Sequence, residues 1–352
     1  MTENAFPVLR RSVLAGGLVT LGALAFPGFA WAVPKRRVVV AADGSGEVTT
    51  IQAAVDAVPV GNTEPFAILV KPGQYKERVL IPADRPHIVL TGLGRDPEDV
   101  VITDDRANGT PKPEGGTWGT SGSASVTVDA SDLVVRNLTL SNSFDEAAHP
   151  EITSRQAVAV LTRADRLSFE NVRFLGNQDT LYLNSPNVDT VSRAYLRHCY
   201  VEGDVDFIFG RATAVFEHCH LHSLDRASTT NNGYVTAAST SLSNPYGFLF
   251  TKCRFTSNAL EATVYLGRPW HPSNDPNAVA QTVIRDSHLG AHLKPAPWTD
   301  FGTWPWRDAR YFEYRNRGTG AVVNPDRPQL TSAEAALYTR ASYLGDWDPS
   351  CA

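Results

Sequence analysis

Asp179 and Asp206 stand 27 positions apart, each among apolar or aromatic neighbours, in Gln178-Asp179-Thr180-Leu181-Tyr182 and Asp206-Phe207-Ile208-Phe209-Gly210. A poorly solvated carboxyl has a raised pKa, and a second carboxylate nearby raises it further. Such a pair can divide into acid and base, or acid and nucleophile. A lone Asp in either place would be read as a turn cap. The company they keep points to chemistry instead: Gln156, Gln178, Arg268 and Trp270 lie in equally unusual local contexts. No Gly-x-Ser-x-Gly elbow is present, since Gly119-Thr-Ser-Gly-Ser fails at its last position, and none of the nine histidines falls in these motifs. A Ser–His hydrolase is therefore disfavoured.

The elements that must position these residues form a repeat. Leu133-Val-Val-Arg-Asn137 lines up with Leu167-Ser-Phe-Glu-Asn171, Tyr195-Leu-Arg-His-Cys199 and Val215-Phe-Glu-His-Cys219, then with Leu249-Phe-Thr-Lys-Cys253 and Val283-Ile-Arg-Asp-Ser287. Strands recurring in fixed phase at intervals of 20 to 34 residues imply stacked coils, a parallel β-solenoid, with the Asn/Cys/Ser positions forming an internal ladder. Upstream, strands are expected at Val38–Val40, Ile68–Val70, Val79–Ile81, Ile88–Leu90 and Val100–Ile102, with Gly73–Glu77 a turn. Thr49 and Gln52 form a capping box for a short helix to about Ala57, and Thr331 with Glu334 does the same for a C-terminal helix through about Tyr338. The coils are expected to end after Ser287. Residues 289–308, with Trp298, Trp304 and Trp306, read as a long irregular loop that walls a groove or covers a solenoid edge.

On the ladder Cys199 and Cys219 occupy successive rungs, a spacing close to what a disulfide tolerates. Cys253 on the next rung competes for Cys219, and a Cys253–Cys351 pair is left open. Cys199–Cys219 is the favoured bridge, against the alternative of free buried thiols throughout.

Arg10-Arg11, the apolar run Ser12–Phe29 and Ala30-Trp31-Ala32 have the form of a bacterial export signal cleaved after Ala32, with a partial match to the twin-arginine route. Residues 33–37 would be a short linker and 38–352 one domain. Loss of residues 1–32 removes Arg10, Arg11 and Glu3, leaving 30 basic against 36 acidic residues and a formal charge of −6. A negative chain has no general attraction for nucleic acid or a fully ionised polyacid, so a polysaccharide partner should be neutral or masked where it touches. Hydrophobic residues at 42% and charged residues at 20% fit a soluble globular chain, with no stable membrane association expected after cleavage and a monomer as the default. Neither Cys-x-x-Cys nor His-x-x-x-His spacing nor an acidic calcium-ligand cluster is present, so no metal and no cofactor are expected.

Together, Gly73-Gln-Tyr-Lys-Glu77, Gln156-Ala-Val-Ala-Val160, Gln178-Asp-Thr-Leu-Tyr182, Asp206-Phe-Ile-Phe-Gly210 and Leu266-Gly-Arg-Pro-Trp270 resemble the pectin methylesterases, the bacterial branch in particular, in order and approximate spacing. The likeness runs from about Val38 to Trp347. It implies an all-β, single-domain, right-handed parallel β-helix with short N-terminal and C-terminal helices. It also implies hydrolysis of methyl esters in pectin (homogalacturonan) by an exported, extracellular or periplasmic enzyme. By this resemblance Asp206 is the nucleophile, Asp179 the general acid and then base, Gln178 and Gln156 the oxyanion donors, and Arg268 the residue holding the nucleophile. Trp270 corresponds to a substrate-stacking residue, with Phe209, Tyr182 and Ser125 as further substrate contacts. Ser125 departs from the Thr of relatives. The family's cysteine pair also falls on Cys199 and Cys219, whereas Cys253 and Cys351 are outside its pattern. The competing readings are an esterase or thioesterase of the same fold on another acyl substrate, a non-catalytic polysaccharide-binding β-helix, and a pectate lyase.

Overall fold

The computed structural model describes residue 34 and residues 36–349. Runs of alternating apolar residues form short strands that pair in parallel with strands one coil away, so each coil completes the hydrogen bonding of the next. Three faces result. The first runs from Arg36–Val40 through Phe66–Val70, Ile88–Gly92, Val134–Asn142, Leu167–Leu175, Arg193–Arg197, Thr213–Glu217, Phe248–Thr251 and Gln281–Arg285 to Arg310–Tyr314. The second includes Gly73–Lys76, Val100–Asp104, the later halves of Val134–Asn142 and Leu167–Leu175, and then Tyr200–Gly203, His220–Ser223, Arg254–Ser257 and His288–Leu289. The third is a separate seven-stranded sheet: Val79–Ile81, Val126–Val128, Val160–Thr162, Leu181–Leu183, Val205–Gly210, Gly233–Ala238 and Val264–Gly267. This is an all-β parallel β-helix, its core a continuous stack that includes Ile68, Leu138, Phe174, Phe207 and Phe250.

The expected repeat is present with one slip. Leu167 pairs with Ala194 and Ser168 with Tyr195, so the coil at Arg193–Arg197 sits one residue out of the phase read from sequence. The true columns differ accordingly. Asn137, Asn171, His198, His218, Lys252, Asp286 and Arg315 all adopt left-handed backbone, with φ between 49° and 55°, and make the bend between first and second faces. Asn tolerates this conformation best, which explains why the first two bends carry it. The inward ladder is the next column: Leu138, Val172, Cys199, Cys219, Cys253 and Ser287, all buried.

Cys199, Cys219 and Cys253 are free thiols, contrary to the expected Cys199–Cys219 bridge. Each sulfur donates instead to a carbonyl of the preceding coil: Cys199 to Phe169 at 3.4 Å, Cys219 to Leu196 at 3.3 Å and Cys253 to Phe216 at 3.3 Å. In-register neighbours on parallel strands stand about 4.8 Å apart, inside the roughly 4.4–6.8 Å that disulfides span between Cα atoms, so it is the turn of each sulfur toward the carbonyl behind it, and not the rung spacing, that leaves the thiols unbridged. Cys351 and the export segment lie outside the described residues.

Other expectations shift at the edges. The first helix is Ile51–Asp56, capped by Thr50 rather than Thr49, and the Ile51 and Gln52 N–H groups donate to the Glu77 carboxylate at 2.8 and 3.0 Å. Gly73–Lys76 is a strand, not a turn, because it pairs with Val100–Asp104. The coils do not stop at Ser287: Arg310–Tyr314 adds one more rung on Gln281–Arg285. The Thr331–Glu334 capping box is present, over a shorter helix, Ser332–Ala335. A second helix, Arg340–Leu344, packs Tyr343 and Leu344 on Tyr195, Val215, Leu249 and Val283 outside the first face.

Candidate active site

The third face carries the site. Its outward column reads Leu80, Thr127, Leu161, Tyr182, Phe209 and Ala237, in register across six strands. Tyr182 and Phe209 stack with ring centroids 4.1 Å apart, and Trp270 meets both edge-on at 5.9 and 5.6 Å. These aromatics form an apolar wall beside the two aspartates.

Asp206 reaches this face through a backbone irregularity. Val205 pairs with Tyr234 but Ile208 with Thr236, so Val205–Gly210 holds one extra residue, and Asp206 has φ 51°. Simple alternation would place Asp206 and Ile208 on one side and Phe207 and Phe209 on the other. The bulge instead sends both Phe207 and Ile208 into the core and Phe209 into the aromatic cluster, the re-aiming that bulges beside active sites produce. Asp179 is also left-handed, φ 68°, and its N–H donates to Val205 O at 3.0 Å, tying the two aspartate-bearing segments together.

Arg268 grips Asp206 through both oxygens, Nε to Oδ1 at 2.9 Å and Nη2 to Oδ2 at 2.6 Å. The guanidinium is itself clamped, 3.8 Å from the Tyr234 ring centroid and 4.4 Å from that of Phe301. Burial pushes Asp206 above the ordinary carboxylate range, with Arg268 opposing it. Desolvation thus outweighs the ion pair. Asp179 is pushed up much further, by burial first and the Asp206 charge second, and only the more distant charge of Arg268 opposes it. Asp204, buried two positions before Asp206, lies at about 6 because burial outweighs its Arg226 partner, and its charge raises Asp179 again.

A cavity of about 390 Å³ brings together Gln156, Gln178, Asp179, Tyr182, Asp206, Phe209, Arg268 and Trp270. Gln156 Oε1 is buried without a hydrogen-bond partner. Ser125 is the exception among the expected contacts. It is fully buried, its Oγ accepts from Asp104 N–H at 3.1 Å, and it does not border the cavity. Thr120 and Ser121 occupy that wall instead. Sequence reasoning also missed Phe301 and Tyr234. Phe301 sits in the expected aromatic loop, but the named tryptophans drew attention from it: Trp298 stacks on Tyr311 in the core and Trp304 on His271. No local signal marks Tyr234. Among the described residues no cluster could hold a metal ion.

Two buried carboxyls bordering one cavity on the third face of a parallel β-helix are the arrangement of a hydrolase that works by acid–base and nucleophilic carboxylates. The chain belongs to the pectinesterase family, whose model matches residues 37–346. It is 38% identical to pectinesterase A of Dickeya chrysanthemi, covering 86% of this chain and 88% of that one. Pectinesterase 31 of Arabidopsis thaliana is 36% identical over 88% and 92%. Among solved structures, the pectin methylesterase of Erwinia chrysanthemi superposes with a TM-score of 0.80 at 35% identity, covering 91% of this chain and 99% of that one. A pectin methylesterase in complex with a hexasaccharide gives 0.82 at 36% identity, over 90% and 99%.

Proposed function

We propose that this carboxylic ester hydrolase, a pectin methylesterase, acts through an acyl-enzyme on Asp206. The observation that carries the mechanism is the unequal treatment of two buried carboxyls, one forked by Arg268 and one with no cation in salt-bridge reach among the described residues. The ionised Asp206 oxygen attacks the ester carbonyl carbon, while the Gln156 and Gln178 amides donate to the developing oxyanion. Loss of one such donor costs about 3–4 kcal/mol in other hydrolases. Neutral Asp179 gives its proton to the departing methoxide, releasing methanol. As a carboxylate it then takes a proton from water, whose oxygen attacks the acyl carbon. The bond to Asp206 breaks, freeing the uronic acid group, which loses its remaining proton to solvent, and restoring ionised Asp206 and neutral Asp179. Trp270, Phe209 and Tyr182 pack against the sugar chain.

The test is methanol release from highly methylated pectin, with and without chelator, for the parent and Asp206→Ala. Chelator-insensitive release abolished by the substitution is expected. A folded parent that releases none would overturn the reading in favour of another acyl substrate or a binding role. Tight pectin binding that survives Asp206→Asn, with no parental turnover, would identify the binding role. We also read residues 1–32 as an export signal, with a partial twin-arginine match, ahead of a linker at 33–37 and a monomeric domain at 38–352. N-terminal sequencing of exported protein should begin at Val33.

A further inference from the structure

The stretch that holds Trp298, Trp304 and Trp306 leaves the solenoid as a hairpin. Its root is one more rung of the third face: Trp298 pairs in parallel with Gly267. Leu266 N–H donates to Pro297 O at 2.7 Å, and Thr299 N–H to Gly267 O at 3.1 Å. The Trp298 indole turns into the core and stacks on Tyr311 of the last rung, ring centroids 4.2 Å apart. Gly267 leaves the room for it, since a Cβ there would stand 3.1 Å from the indole and 2.2 Å from Thr236 Oγ1.

Beyond Thr299 the chain turns tightly. Phe301 and Trp304 exchange N–H to carbonyl bonds, each 3.0 Å, around Gly302, which is left-handed at φ 60°. Asp300 Oδ1 accepts from Trp306 N–H at 2.9 Å and closes the base, while Trp306 packs on the core. Two residues that exchange both bonds present their side chains on one side. Here that side lies against the segment from Arg268 to His271. The Phe301 ring centroid is 4.4 Å from the Arg268 guanidinium carbon, and Trp304 stacks on His271 with centroids 3.8 Å apart and planes 9° apart. His271 is anchored in turn, its Nδ1 2.9 Å from the Asp275 carbonyl oxygen. From the other side, the Arg268 and Trp270 N–H groups donate to Thr236 O and Ala238 O of the coil before, at 3.1 and 3.0 Å. The segment is thus bonded to the preceding coil and clasped by rings from the following one. Phe301 borders the active-site cavity; Trp304 and His271 do not. Their stack reaches the chemistry through the segment it holds.

We propose that the hairpin from Asp300 to Trp306 is a positioning element for the reaction, with Trp304 a positioning residue that acts through His271 on Arg268. The proposal rests on the reading of Asp206 as nucleophile and deepens it: the fork that orients the carboxylate is itself kept in place by the coil that follows. A reacting group displaced by about 1 Å loses about 100-fold in rate, so a contact remote from the substrate is felt in turnover.

Methanol release by Trp304→Ala, Trp304→Phe and Arg268→Lys, and by Trp304→Ala combined with Arg268→Lys, tests this. Trp304→Ala should lower kcat about tenfold, and Trp304→Phe, which keeps a ring over His271, should recover most of it. Once Arg268→Lys has removed the fork, adding Trp304→Ala should cost less than about twofold, because the two changes act through one contact. A second readout needs no turnover: hydrogen exchange at the Arg268 Nε–H, the proton given to Asp206, identified by its absence in Arg268→Lys. Trp304→Ala should speed that exchange about tenfold under conditions where both proteins are folded. Where Trp304→Ala does not fold, His271→Ala removes the other half of the stack and carries the same expectations. A tenfold loss in both backgrounds, or an unchanged Arg268 proton, overturns the proposal and leaves the stack a merely structural one. Faster exchange in Trp304→Ala, with a parent that releases no methanol, would sink the esterase reading and leave the positioning role standing. Methanol release with unchanged exchange would do the reverse.

Discussion

Arg268 holds both oxygens of Asp206, at 2.9 and 2.6 Å, while Tyr234 and Phe301 hold Arg268 from its two faces. The carboxylate is thus fixed in rotation as well as in charge, and the fixing group cannot itself drift. Lysine would keep the charge and lose the fork and the stacking. Arg268→Lys should lower kcat/KM by about 100-fold or more, the scale at which a small misplacement of a reacting group is felt. Arg268→Ala should in addition cost about 3–5 kcal/mol of stability by stranding a buried charge. Steady-state kinetics and urea unfolding of the two variants check this; a Lys variant near parental activity would remove the orienting role.

The raised Asp179 predicts a definite sign for pH dependence. The folded chain retains this proton over a window, from about pH 4 upward, in which the unfolded chain has released it. Stability from neutral Asp179 is fully present below that window and is lost as pH rises through the folded pKa. Asp179→Asn has no such proton to lose. Its melting temperature should match the parent near pH 3.5 and exceed it increasingly as pH rises, even as activity disappears. Asp204, at about 6, contributes a separate loss through that pH, which Asp204→Asn should flatten. Parallel melting curves for Asp179→Asn and parent would contradict a raised pKa.

Gly210 closes the strand that bears Asp206, at φ 115°, and a Cβ there would stand 2.0 Å from the Leu183 carbonyl oxygen. Backbone cannot yield as a side-chain tip does. Gly210→Ala should cost about 3 kcal/mol or more and lower activity through the displaced bulge. Denaturant unfolding measures the first and methanol release the second. A fully active, stable Ala variant would mean that the strand end is free to move.

Much of this architecture is legible in the chain because a solenoid repeats its demands. Apolar residues recurring in fixed phase at Leu133, Leu167, Val215, Leu249 and Val283 declare their rungs, and the motifs around Asp179, Asp206 and Arg268 declare the site. What escapes is anything set between rungs. Asn171 and Cys199 look equivalent as small polar residues, yet one is a left-handed bend and the other an inward ladder position. A single residue of phase separates them, and in a strand that reverses the side a residue faces. The bulge at Asp206 is hidden for the same reason, since apolar alternation cannot reveal an inserted residue whose neighbours Phe207 and Ile208 are both apolar. Ser125 and Tyr234 show the complementary gap: whether a polar or aromatic side chain meets the groove depends on partners on another coil, Asp104 for one and Arg268 for the other.

That ladder has a chemical consequence. Cys199, Cys219 and Cys253 each spend their S–H on a carbonyl of the coil before, and burial raises the pKa of Cys199 and Cys219 well above the ordinary thiol range. Neutral buried thiols neither attack nor exchange readily. Denaturation without reductant, followed by alkylation and peptide mapping, should find all three cysteines alkylated, and reductant should leave the melting temperature unchanged. A Cys199–Cys219 linked peptide would restore the bridge that the spacing first suggested.

Trp270 separates binding from chemistry. It meets the Tyr182–Phe209 stack edge-on and borders the cavity without hydrogen-bonding either aspartate. A flat apolar ring suits the face of a sugar and acts alike on ester and transition state, which is uniform binding. Trp270→Ala should raise KM by about tenfold and leave kcat within about threefold, the pattern of lost uniform binding. Trp270→Phe should recover most of the loss, because the stacking surface matters more than the indole N–H. If kcat falls as steeply as kcat/KM in Trp270→Ala, the ring acts on the placement of Asp206 rather than on the polymer, and the aromatic wall belongs to the catalytic apparatus itself.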